Sequence, residues 1–438
     1  MAFGSIEEVF GYIESFTNLE RSGSLFNSRT YRLDRMRLLL ERFAAPQLSY
    51  RTIHIAGTKG KGSTAALLAH ALHASGVRTG LYTSPHVISY SERIQVLGSD
   101  PEPPMILDQA ERIRSAVRQL PEQTIRTMGG PNTFELLTLL AFCCFRESGC
   151  EYVVVETGIG GRLDATNLVD PEFCLITPIE MEHTDVLGDT LTAIAREKAG
   201  IFKPGKPVYC SYQHEEVKQQ LNRAARKTGC PIAHLDEQLE CLESRFTAEG
   251  TDLRLAVKQQ PAVHYRLAMI GTVQAENAAL VHLAASRSAP WLLPSLPRGF
   301  AAARLPARME VVRRNPAVMI DGAHTPRSVQ TVLDTFRRLF GAEGVLLFAA
   351  AAGKRIADMA EILAPAFPDI VVTTPGSFRE SNAEQVHHAF LHRGANVLLI
   401  PGTAEALARA RILAGNDRPL LVTGSFYLAG LVREILYL

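Results

Sequence analysis

The sequence predicts an α/β protein with two domains: a P-loop-containing, parallel-sheet N-terminal domain over residues 1–302 and a smaller Rossmann-like C-terminal domain over residues 303–438. Three observations support this prediction. Strand-like apolar runs alternate with helical patterns over most of the chain, which is typical of parallel sheets covered by helices. A glycine-rich loop follows the first strand, and a cluster of prolines separates two such alternations. A chain of 438 residues is also long enough for two or three domains.

The first alternation begins with a short apolar strand at Tyr50–Ala56, followed by the glycine-rich loop Gly57–Gly62 and an alanine- and leucine-rich helix from Ser63 to about Ala74. The next predicted strands are Arg78–Thr83, Tyr152–Glu156 and Phe173–Ile179. The last two are continuous runs of β-favouring residues, as expected of central parallel strands. Residues 205–270 are more polar and predict a β-rich insertion or a sheet edge.

A cluster of four prolines predicts the hinge between the domains: Pro290, Pro294, Pro297 and Pro306. After it, apolar runs such as AVMID, GVLLFAAA, DIVVTT and PLLVTG alternate with helical segments as far as a terminal helix ending at Leu438. This second alternation predicts the C-terminal domain.

Charge and apolar patterning exclude several classes of protein. Lys and Arg number 46 against 45 Asp and Glu, and a net charge of +1 argues against nucleic-acid or anionic-membrane partners. The start MAFGSIEEVF lacks the features of a signal peptide. The longest nearly apolar stretch, Phe134–Phe145, is shorter than the ~20 residues of a membrane span and contains Glu135. Seven cysteines without a CxxC pair favour buried, reduced thiols over a metal or disulfide framework. We therefore expect a cytoplasmic protein.

The segment GTKGKGS, between a predicted strand and a predicted helix, indicates a phosphate-binding loop. Its glycines let backbone N–H groups point at phosphate oxygens, and the following helix start adds a positive dipole end. Lys61 would reach the terminal phosphates. Ile55 stands where the longer GxxxxGK[ST] pattern has its first glycine, so this is a shorter form. The alternative is a glycine-rich turn with an incidental lysine. The candidate phosphate-binding residues are Gly57, Thr58, Lys59, Gly60, Lys61, Gly62 and Ser63.

Three further predicted strands end at, or are followed by, a residue that could bind Mg²⁺. These residues are Ser84, Glu156 and His183. Ligands of doubly wound sheets bind at the carboxyl ends of the strands, so these side chains can converge beside the loop. Mg²⁺ prefers hard oxygen ligands, which Glu156 and Ser84 supply. Spacing alone favours a hydrogen-bonding or capping role for His183.

Two nearby charged segments leave their roles open. Arg162 and Asp164 follow a glycine-rich turn, where a structural role is as reasonable as ligand contact. Lys198 lies near the end of a predicted helix at 189–200, beside Arg196 and Glu197. A solvated charged helix end is the structural alternative for this lysine.

Seven motifs together resemble the folylpolyglutamate synthase/dihydrofolate synthase branch of the Mur ligase superfamily. In order they are GTKGKG, YTSPHVISYSERI, ETGIGGRLDATN, EHTDVLGDTLTAIAREKAGIFKPG, ENAAL, LPARMEVV and DGAHTP. The resemblance extends from about residue 10 to the closing VTGSFYLAG. GGRLDATN and REKAGI are specific to this branch rather than to P-loop proteins in general.

The resemblance implies roles for individual residues. It places ATP phosphates on residues 59–62 and Mg²⁺ on Ser84, Glu156 and His183. It implies that Lys198 is carbamylated and holds a second Mg²⁺, which requires a depressed lysine pKa. It further implies ATP contacts from Asn277, Arg308, Asp321 and His324, with Arg308 donated by the C-terminal domain. A pterin-binding region would lie near Thr17–Ser28.

The resemblance also implies the reaction. ATP would phosphorylate a substrate carboxylate, and the amine of L-glutamate would displace phosphate from the acyl phosphate, with reduced folates, dihydropteroate or both as acceptors. The catalytic residues would be Lys61, His183, Lys198 and Arg308. The cofactors would be ATP and two Mg²⁺ ions, with a monovalent cation as a further candidate, and the protein would act as a monomer. The alternatives are a Mur-type amino-acid ligase for a different carboxylate and a non-catalytic nucleotide-binding paralogue.

The sequence departs from the family pattern at four positions that adjoin functional residues. Lys59 and Thr325 stand where the family usually has Asn, Glu182 where it has Asp, and Ala307 where it has Gly. We expect Lys59 to add positive charge at the triphosphate. Thr325 removes an amide next to His324, which weakens the prediction of a nucleoside contact there.

Overall fold

The structure, a computed structural model, describes residues 2–18, 32–376 and 380–437 and has the predicted α/β class. In that part of the chain the first sheet has seven strands, in the order β3-β2-β4-β1-β5-β6-β7. They are β1 (Arg51–Ala56), β2 (Thr79–Tyr82), β3 (Ile94–Val96), β4 (Tyr152–Glu156), β5 (Pro171–Ile176), β6 (Val208–Cys210) and β7 (Ile232–His234). All neighbours are parallel except β3, which runs antiparallel to β2.

The first sheet is covered by helices on both faces, which is why its central strands are apolar along their whole length. Strand β1 lies between β4 and β5, with Ile53 opposite Val154 on one side and Phe173 on the other. The helices up to residue 302 are α1 (Ile6–Glu14), α2 (Leu33–Arg42), α3 (Lys61–Ala74), α4 (Pro103–Arg118), α5 (Glu122–Met128), α6 (Thr133–Glu147), α7 (Thr184–Leu187), α8 (Leu191–Lys198), α9 (Glu215–Thr228), α10 (Leu235–Gln238), α11 (Thr272–Ser288) and α12 (Leu296–Ala302).

Helix α3 is the central helix of this region, and small residues let α12 cross it closely. A Cβ atom on Gly299 of α12 would lie 2.4 Å from the Cα atom of Ala71. The alanines and leucines of α3 are buried, because α11 and α12 cover the side that the sheet leaves open. This packing fixes the start of α3, which follows the glycine-rich loop.

A small antiparallel sheet accounts for part of the polar region at 205–270. Its strands are β8 (Leu239–Thr247), β9 (Gly250–Val257) and β10 (Val263–Leu267). The prediction of a β-rich insertion is confirmed only for these strands. Residues before them continue the first alternation through β6, α9 and β7.

The third sheet belongs to the C-terminal part of the chain and has the order β11-β12-β16-β13-β14-β15 in the described residues. Its strands are β11 (Glu310–Arg314), β12 (Ala317–Ile320), β13 (Val345–Phe348), β14 (Asp369–Val372), β15 (Val397–Leu399) and β16 (Leu420–Thr423). Only β11 is antiparallel to its neighbour. Its helices are α13 (Pro326–Phe340), α14 (Ile356–Leu363), α15 (Ala383–Leu391), α16 (Thr403–Ala414) and α17 (Phe426–Tyr437).

The predicted proline hinge is wrong for three of its four prolines. Pro290 and Pro294 lie in a 3₁₀ helix, and Pro297 lies in the first turn of α12. Proline is tolerated at helix starts because its missing N–H would have no helical partner there. The connection between α12 and β11 is the non-helical segment 303–309, which contains Pro306.

The cysteines are free thiols, six of them buried and Cys241 partly exposed, as the sequence predicts. Burial raises the pKa of Cys143 and of Cys174 to about 12. Among the described residues, no helix combines the length and the apolar character needed to cross a membrane.

Candidate active site

The carboxyl ends of four adjacent strands bring the predicted site residues to one edge of the first sheet. The phosphate loop follows β1, Ser84 lies two residues beyond β2, and Glu156 is the last residue of β4. Thr177 follows β5 directly. These strands are neighbours in the sheet, so the topology itself assembles the site.

Two glycines of the loop occupy positions where a side chain would not fit. Gly57 has a φ of 152°, and a Cβ atom there would lie 1.8 Å from Oγ1 of Thr177. Gly60 has a φ of 84°, and its Cβ would lie 2.7 Å from Oδ1 of Asn277. The amide of Asn277, on α11, therefore lies directly against the loop. Helix α3 begins at Lys61, two residues before the predicted start, so its N-terminal N–H groups adjoin the loop.

A buried carboxylate lies beside the loop lysine. Nζ of Lys61 is 3.9 Å from Oε1 of Glu156 and 3.5 Å from the carbonyl oxygen of Thr58. The backbone N–H of Ser84 donates to Oε2 of Glu156 at 3.0 Å. Glu156 is only 3% exposed, and burial raises its pKa, an effect that the charge of Lys61 opposes. The structure thus brings together three predicted site residues, Lys61, Ser84 and Glu156. The carboxylate of Glu156 is the anionic group among them, and a bound cation would stabilise it.

Lys59 pairs with a carboxylate, which differs from the free positive charge that the sequence predicts at the triphosphate. Its Nζ atom lies 3.0 Å from Oε1 of Glu182, so a carboxylate partly neutralises the charge that we expected at the triphosphate. Burial acts to raise the pKa of Glu182. The hydrogen bond with His324 and the charge of Lys59 outweigh burial and hold that pKa well below its usual range.

His183 occupies the N-cap position of α7 in the left-handed region, with a φ of 54°. Its side chain makes no capping hydrogen bond, so of the two roles that spacing favours, hydrogen bonding or capping, the capping role is wrong. The residue is exposed. Among the described residues, no three His, Cys, Asp or Glu side chains form a group that could hold a metal ion by themselves.

Lys198 is buried rather than solvated, which overturns the structural alternative for this residue. Its side chain is 4% exposed, and Nζ donates to the carbonyl oxygen of Gly57 at 2.5 Å. Burial, together with the charge of Lys61, lowers the pKa of Lys198 to about 7. The last residue of α8 is thereby joined to the first residue of the phosphate loop.

The GGRLDATN segment positions this lysine through backbone packing. Oδ2 of Asp164 accepts hydrogen bonds from the N–H groups of Gly158 and Ile159 at 2.9 and 3.0 Å. Oδ1 accepts from both N–H and Oγ1 of Thr166. A Cβ atom on Gly161 would lie 2.9 Å from the carbonyl oxygen of Lys198. Asp164 therefore fixes a turn that packs against the end of α8. Of the two roles left open by the sequence, a structural role and ligand contact, the structure supports the structural one.

The C-terminal part of the chain contributes Arg308 from a strained turn. Ala307 and Met309 on either side have φ values of 54° and 48°. Asp321 holds this turn, since Oδ2 accepts from the N–H of Met309 at 2.8 Å and Oδ1 accepts from the N–H of Ala323 at 2.7 Å. The carboxylate predicted to contact the nucleoside thus supports the backbone around Arg308.

Phe426 is a site residue that the sequence reasoning missed. The Cζ atom of Arg308 lies 4.1 Å from the centre of its ring. The ring of His324 packs edge-on against the same phenyl group, with 5.5 Å between the centres. Phe426 lies in VTGSFYLAG, the segment that closes the resemblance, and the phenylalanine after Gly-Ser is the signal in the sequence that could have identified it.

His324 connects the two parts of the chain. Its Nδ1 atom lies 2.9 Å from the carbonyl oxygen of Gly322, and Nε2 lies 3.3 Å from Oε1 of Glu182. The neighbouring Thr325 is the N-cap of α13, where its hydroxyl accepts from the N–H of Ser328. Thr325 therefore has a structural role of its own at the position where the family usually has Asn.

A cavity of about 440 Å³ adjoins this assembly. Its walls include Gly62, Ser84 and Glu156 from the first sheet region and Arg304 and Arg308 from the segment after α12. Of the pair formed by Lys61 and Glu156, Glu156 lines this cavity. Most of the predicted pterin region, Thr17–Ser28, lies outside the described residues. Of its two described residues, Thr17 forms a β-bridge to Asn132.

Known proteins match nearly the whole chain. The Mur ligase middle domain family matches residues 109–285, and the Mur ligase glutamate ligase domain family matches residues 307–426. Folylpolyglutamate synthase of Lacticaseibacillus casei is 32% identical, with 98% of each chain covered. Dihydrofolate synthase/folylpolyglutamate synthase of Bacillus subtilis is 31% identical, covering 92% of this chain and 94% of the relative.

Solved structures of folylpolyglutamate synthases are similar to this chain as well. Mycobacterium tuberculosis folylpolyglutamate synthase complexed with ADP and AMPPCP superposes with a TM-score of 0.84 at 29% identity, covering 93% of this chain and 95% of the other. Escherichia coli FolC in complex with DHPP and ADP gives a TM-score of 0.82 at 26% identity, covering 99% and 98%. The similarity therefore includes both sheet-bearing parts of the chain.

Proposed function

Because the chain belongs to the folylpolyglutamate synthase/dihydrofolate synthase family of Mur ligases, it is an ATP-dependent ligase that joins glutamate to folates, and we propose that it works through an acyl phosphate. One observation carries the proposal: Glu156, which lies 3.9 Å from Nζ of Lys61, lines one cavity together with Arg308. A phosphate-binding lysine and an arginine can neutralise a transferring phosphoryl group from two sides.

The residues of the phosphate loop, 57–63, would bind the phosphates of ATP through backbone N–H groups and Lys61. Asn277 would contact the nucleotide from α11, since its amide already lies against Gly60. We place the nucleoside near Asp321 and His324. Asp321 would contribute indirectly, because its carboxylate accepts hydrogen bonds from two backbone N–H groups in the C-terminal part of the chain.

Glu156 and Ser84 suit Mg²⁺, and His183 completes the proposed ligand set. Mg²⁺ typically uses one or two carboxylates together with waters and substrate phosphates rather than a cage of protein ligands. A single buried carboxylate beside a phosphate loop fits that requirement, and so does the absence of a three-residue acidic or histidine group in the described chain. When bound, the ion would neutralise charge on the phosphates.

The second proposed Mg²⁺ site requires a change at Lys198. As an ammonium, Lys198 donates to Gly57 and cannot bind a cation. The neutral amine can attack carbon dioxide, forming an N–C bond and releasing one proton, which leaves an anionic carbamate with two hard oxygens. The lowered pKa of about 7 makes the neutral amine available near neutral pH.

The proposed reaction has two steps. A carboxylate oxygen of the acceptor attacks the γ-phosphorus of ATP, the bond to the β-phosphate oxygen breaks, and ADP leaves. The neutral amine of L-glutamate then attacks the acyl carbon and forms the C–N bond. The bond from the acyl carbon to the bridging oxygen breaks, phosphate leaves with that oxygen, and the amine loses a proton. Lys61 and Arg308 would stabilise the charge that develops in the first step. Catalysis by Lys198 would be indirect, through its carbamate.

We propose that the acceptor carboxylate enters through the 440 Å³ cavity, whose wall adjoins Gly62 and Glu156. The acceptor is a reduced folate, dihydropteroate or both.

We also propose domains at residues 1–302 and 303–438, since β1–β10 precede the segment 303–309 and β11–β16 follow it. We expect a monomer, which light scattering after gel filtration would test.

The test is a ligation assay with ATP, Mg²⁺ and glutamate, in which dihydropteroate and tetrahydrofolate are offered separately and the products are weighed by mass spectrometry. We expect a mass gain of one or more glutamate residues, with ADP and phosphate formed in equal amounts. Hydroxylamine in place of glutamate should trap the acyl phosphate as a hydroxamate. Formation of AMP and pyrophosphate would rule out the acyl phosphate, since those products indicate an adenylate.

A further inference from the structure

One carboxylate oxygen joins the phosphate loop to the C-terminal part of the chain. Oε1 of Glu182 lies 3.0 Å from Nζ of Lys59 and 3.3 Å from Nε2 of His324. Lys59 belongs to the loop between β1 and α3, whereas His324 precedes α13. The Glu182 side chain is 15% exposed, so protein atoms rather than solvent surround most of it.

A second acidic residue two positions earlier supplies a comparison within the same contact. Oε1 of Glu180 lies 3.0 Å from Nη1 of Arg327, which also belongs to the C-terminal part. Arg327 is 71% exposed, and no hydrogen bond of the Glu180 carboxylate to the phosphate loop is found in the described residues. Exposed ion pairs of this kind contribute little. The backbone of Glu180 does contact the loop, since its N–H donates to Oγ1 of Thr58 and its carbonyl oxygen accepts from that hydroxyl. A change of the Glu180 side chain alone therefore removes the ion pair with Arg327 and leaves the loop contacts in place.

We propose that Glu182 is a positioning residue that couples nucleotide binding at the loop to the placement of the C-terminal segment bearing His324 and Arg308. The proposal rests on the proposed function, because it assumes that the loop binds the phosphates of a nucleotide. Lys59 and His324 contact the same carboxylate oxygen, so a change in the Lys59 contact alters the His324 contact. Phosphate oxygens attract the Lys59 ammonium, which weakens its pairing with Glu182 and leaves that carboxylate to His324.

The coupling is reciprocal. If nucleotide strengthens the bond between Glu182 and His324, then placing the C-terminal segment against Glu182 must favour nucleotide binding by the same factor. Arg308 lies on the same segment as Asp321 and His324, and Asp321 ties their backbones together. The effect of Glu182 on the reaction would therefore act through Arg308.

The test compares Glu182→Gln with Glu180→Gln in the full-length enzyme. Glu182→Gln keeps the size of the side chain and removes its charge. The Lys59 ammonium is then free to pair with a phosphate of the nucleotide, and the interaction between residue 182 and His324 becomes weaker. We expect ADP to bind at least as tightly as to the wild type, while kcat falls by about tenfold or more, because Arg308 is then held less well in its reactive position. Glu180→Gln should change neither quantity more than about twofold, as expected of an exposed pair.

Three measurements separate the outcomes. Calorimetry gives the ADP affinity, steady-state kinetics give kcat and the KM for ATP, and small-angle X-ray scattering with and without ADP gives the change in radius of gyration. We expect ADP to compact the wild type and the Glu180→Gln variant more than Glu182→Gln. Equal compaction and an equal kcat in both variants would overturn the proposal. Loss of ADP affinity together with kcat in Glu182→Gln would also overturn it, because that pattern indicates a merely structural role.

A double-mutant cycle with Lys59→Gln tests the shared oxygen directly. The effect of Lys59→Gln on ADP affinity should differ in the presence and absence of the Glu182 charge, and additive effects would contradict the coupling. If Glu182→Gln does not fold, Glu182→Asp takes its place, and the shorter acid should weaken compaction while normal compaction would overturn the proposal. A wild-type enzyme that binds ADP but ligates nothing would refute the proposed function instead.

Discussion

The guanidinium of Arg308 lies over the ring of Phe426, with 4.1 Å between Cζ and the ring centre. An arginine stacked on an aromatic face is attracted by the ring and loses side-chain freedom. Gly322 makes room for this ring, because a Cβ atom there would lie 2.0 Å from its carbon atoms. The arginine that we propose to stabilise the transferring phosphoryl group is thus oriented before the substrate binds.

Phe426→Ala should lower kcat by about tenfold or more, because an unsupported Arg308 spends less time in the reactive orientation. Phe426→Tyr keeps the ring and should retain most of the activity. Steady-state kinetics with saturating substrates measure both, and thermal unfolding shows whether the fold is intact. Equal kcat values for the alanine and tyrosine variants would contradict the role assigned to the ring.

Lys61→Ala should leave the fold intact and lower turnover by orders of magnitude, since the lost charge acts mainly on the transferring phosphoryl group. The removal also leaves the buried Glu156 without the cation that lies 3.9 Å away. The matched control is Lys227→Ala, which removes an exposed lysine from α9. Near-normal ligation by Lys61→Ala would show that the phosphate loop is assigned wrongly.

The parts of the fold and site that local sequence determines were predictable. The β4 strand has the predicted bounds, and β1 differs by one residue, because both are short buried runs of β-favouring residues. The site residues at the ends of β1, β2 and β4 come together because adjacent parallel strands end at one edge. The order of the strands was not predicted, because the prediction that these residues converge used only the general rule for doubly wound sheets.

What the sequence could not predict depends on contacts between distant segments. Lys59 and Glu182 are 123 positions apart, and their pairing follows from the packing of the β1 and β5 loops. Lys198 has the local sequence of an exposed helix end, and only its packing beneath Gly57 buries it. The proline cluster predicted a hinge because local punctuation does not distinguish a linker from the starts of two short helices.

Asp164→Asn should destabilise the protein by about 2–4 kcal/mol, because an amide cannot accept all the hydrogen bonds that the carboxylate accepts and leaves buried N–H groups unpaired. The bonds at risk are those from Gly158, Ile159 and Thr166. Urea unfolding measures the change. Asp417→Asn, at an exposed position, is the control and should be nearly neutral. A neutral Asp164→Asn would mean that the turn is held by other contacts.

Lys198→Met should stabilise the bicarbonate-free protein more at low than at high pH. The folded-state pKa of Lys198 is lowered to about 7, so below pH 7 the protein carries a buried charge whose cost is fully present. That cost shrinks as the pH rises from about 7 towards the unfolded value near 10.5, because only the unfolded chain then holds the proton. The difference in Tm between variant and wild type should therefore be larger at pH 6 than at pH 9. A difference independent of pH would contradict the lowered pKa.

Lys198→Arg should be nearly as damaging to ligation as Lys198→Ala, although arginine keeps the charge and most of the length. A guanidinium does not form the carbamate that the second Mg²⁺ would require, and a cation offers no ligand to a hard metal ion. Wild-type activity should fall when bicarbonate is removed exhaustively and return when it is restored. Labelling with ¹³C-bicarbonate gives a readout besides activity: the wild type should show a carbamate resonance that Lys198→Arg lacks. Normal turnover by Lys198→Arg, or the same resonance in both proteins, would show that this buried lysine serves only to join α8 to the phosphate loop.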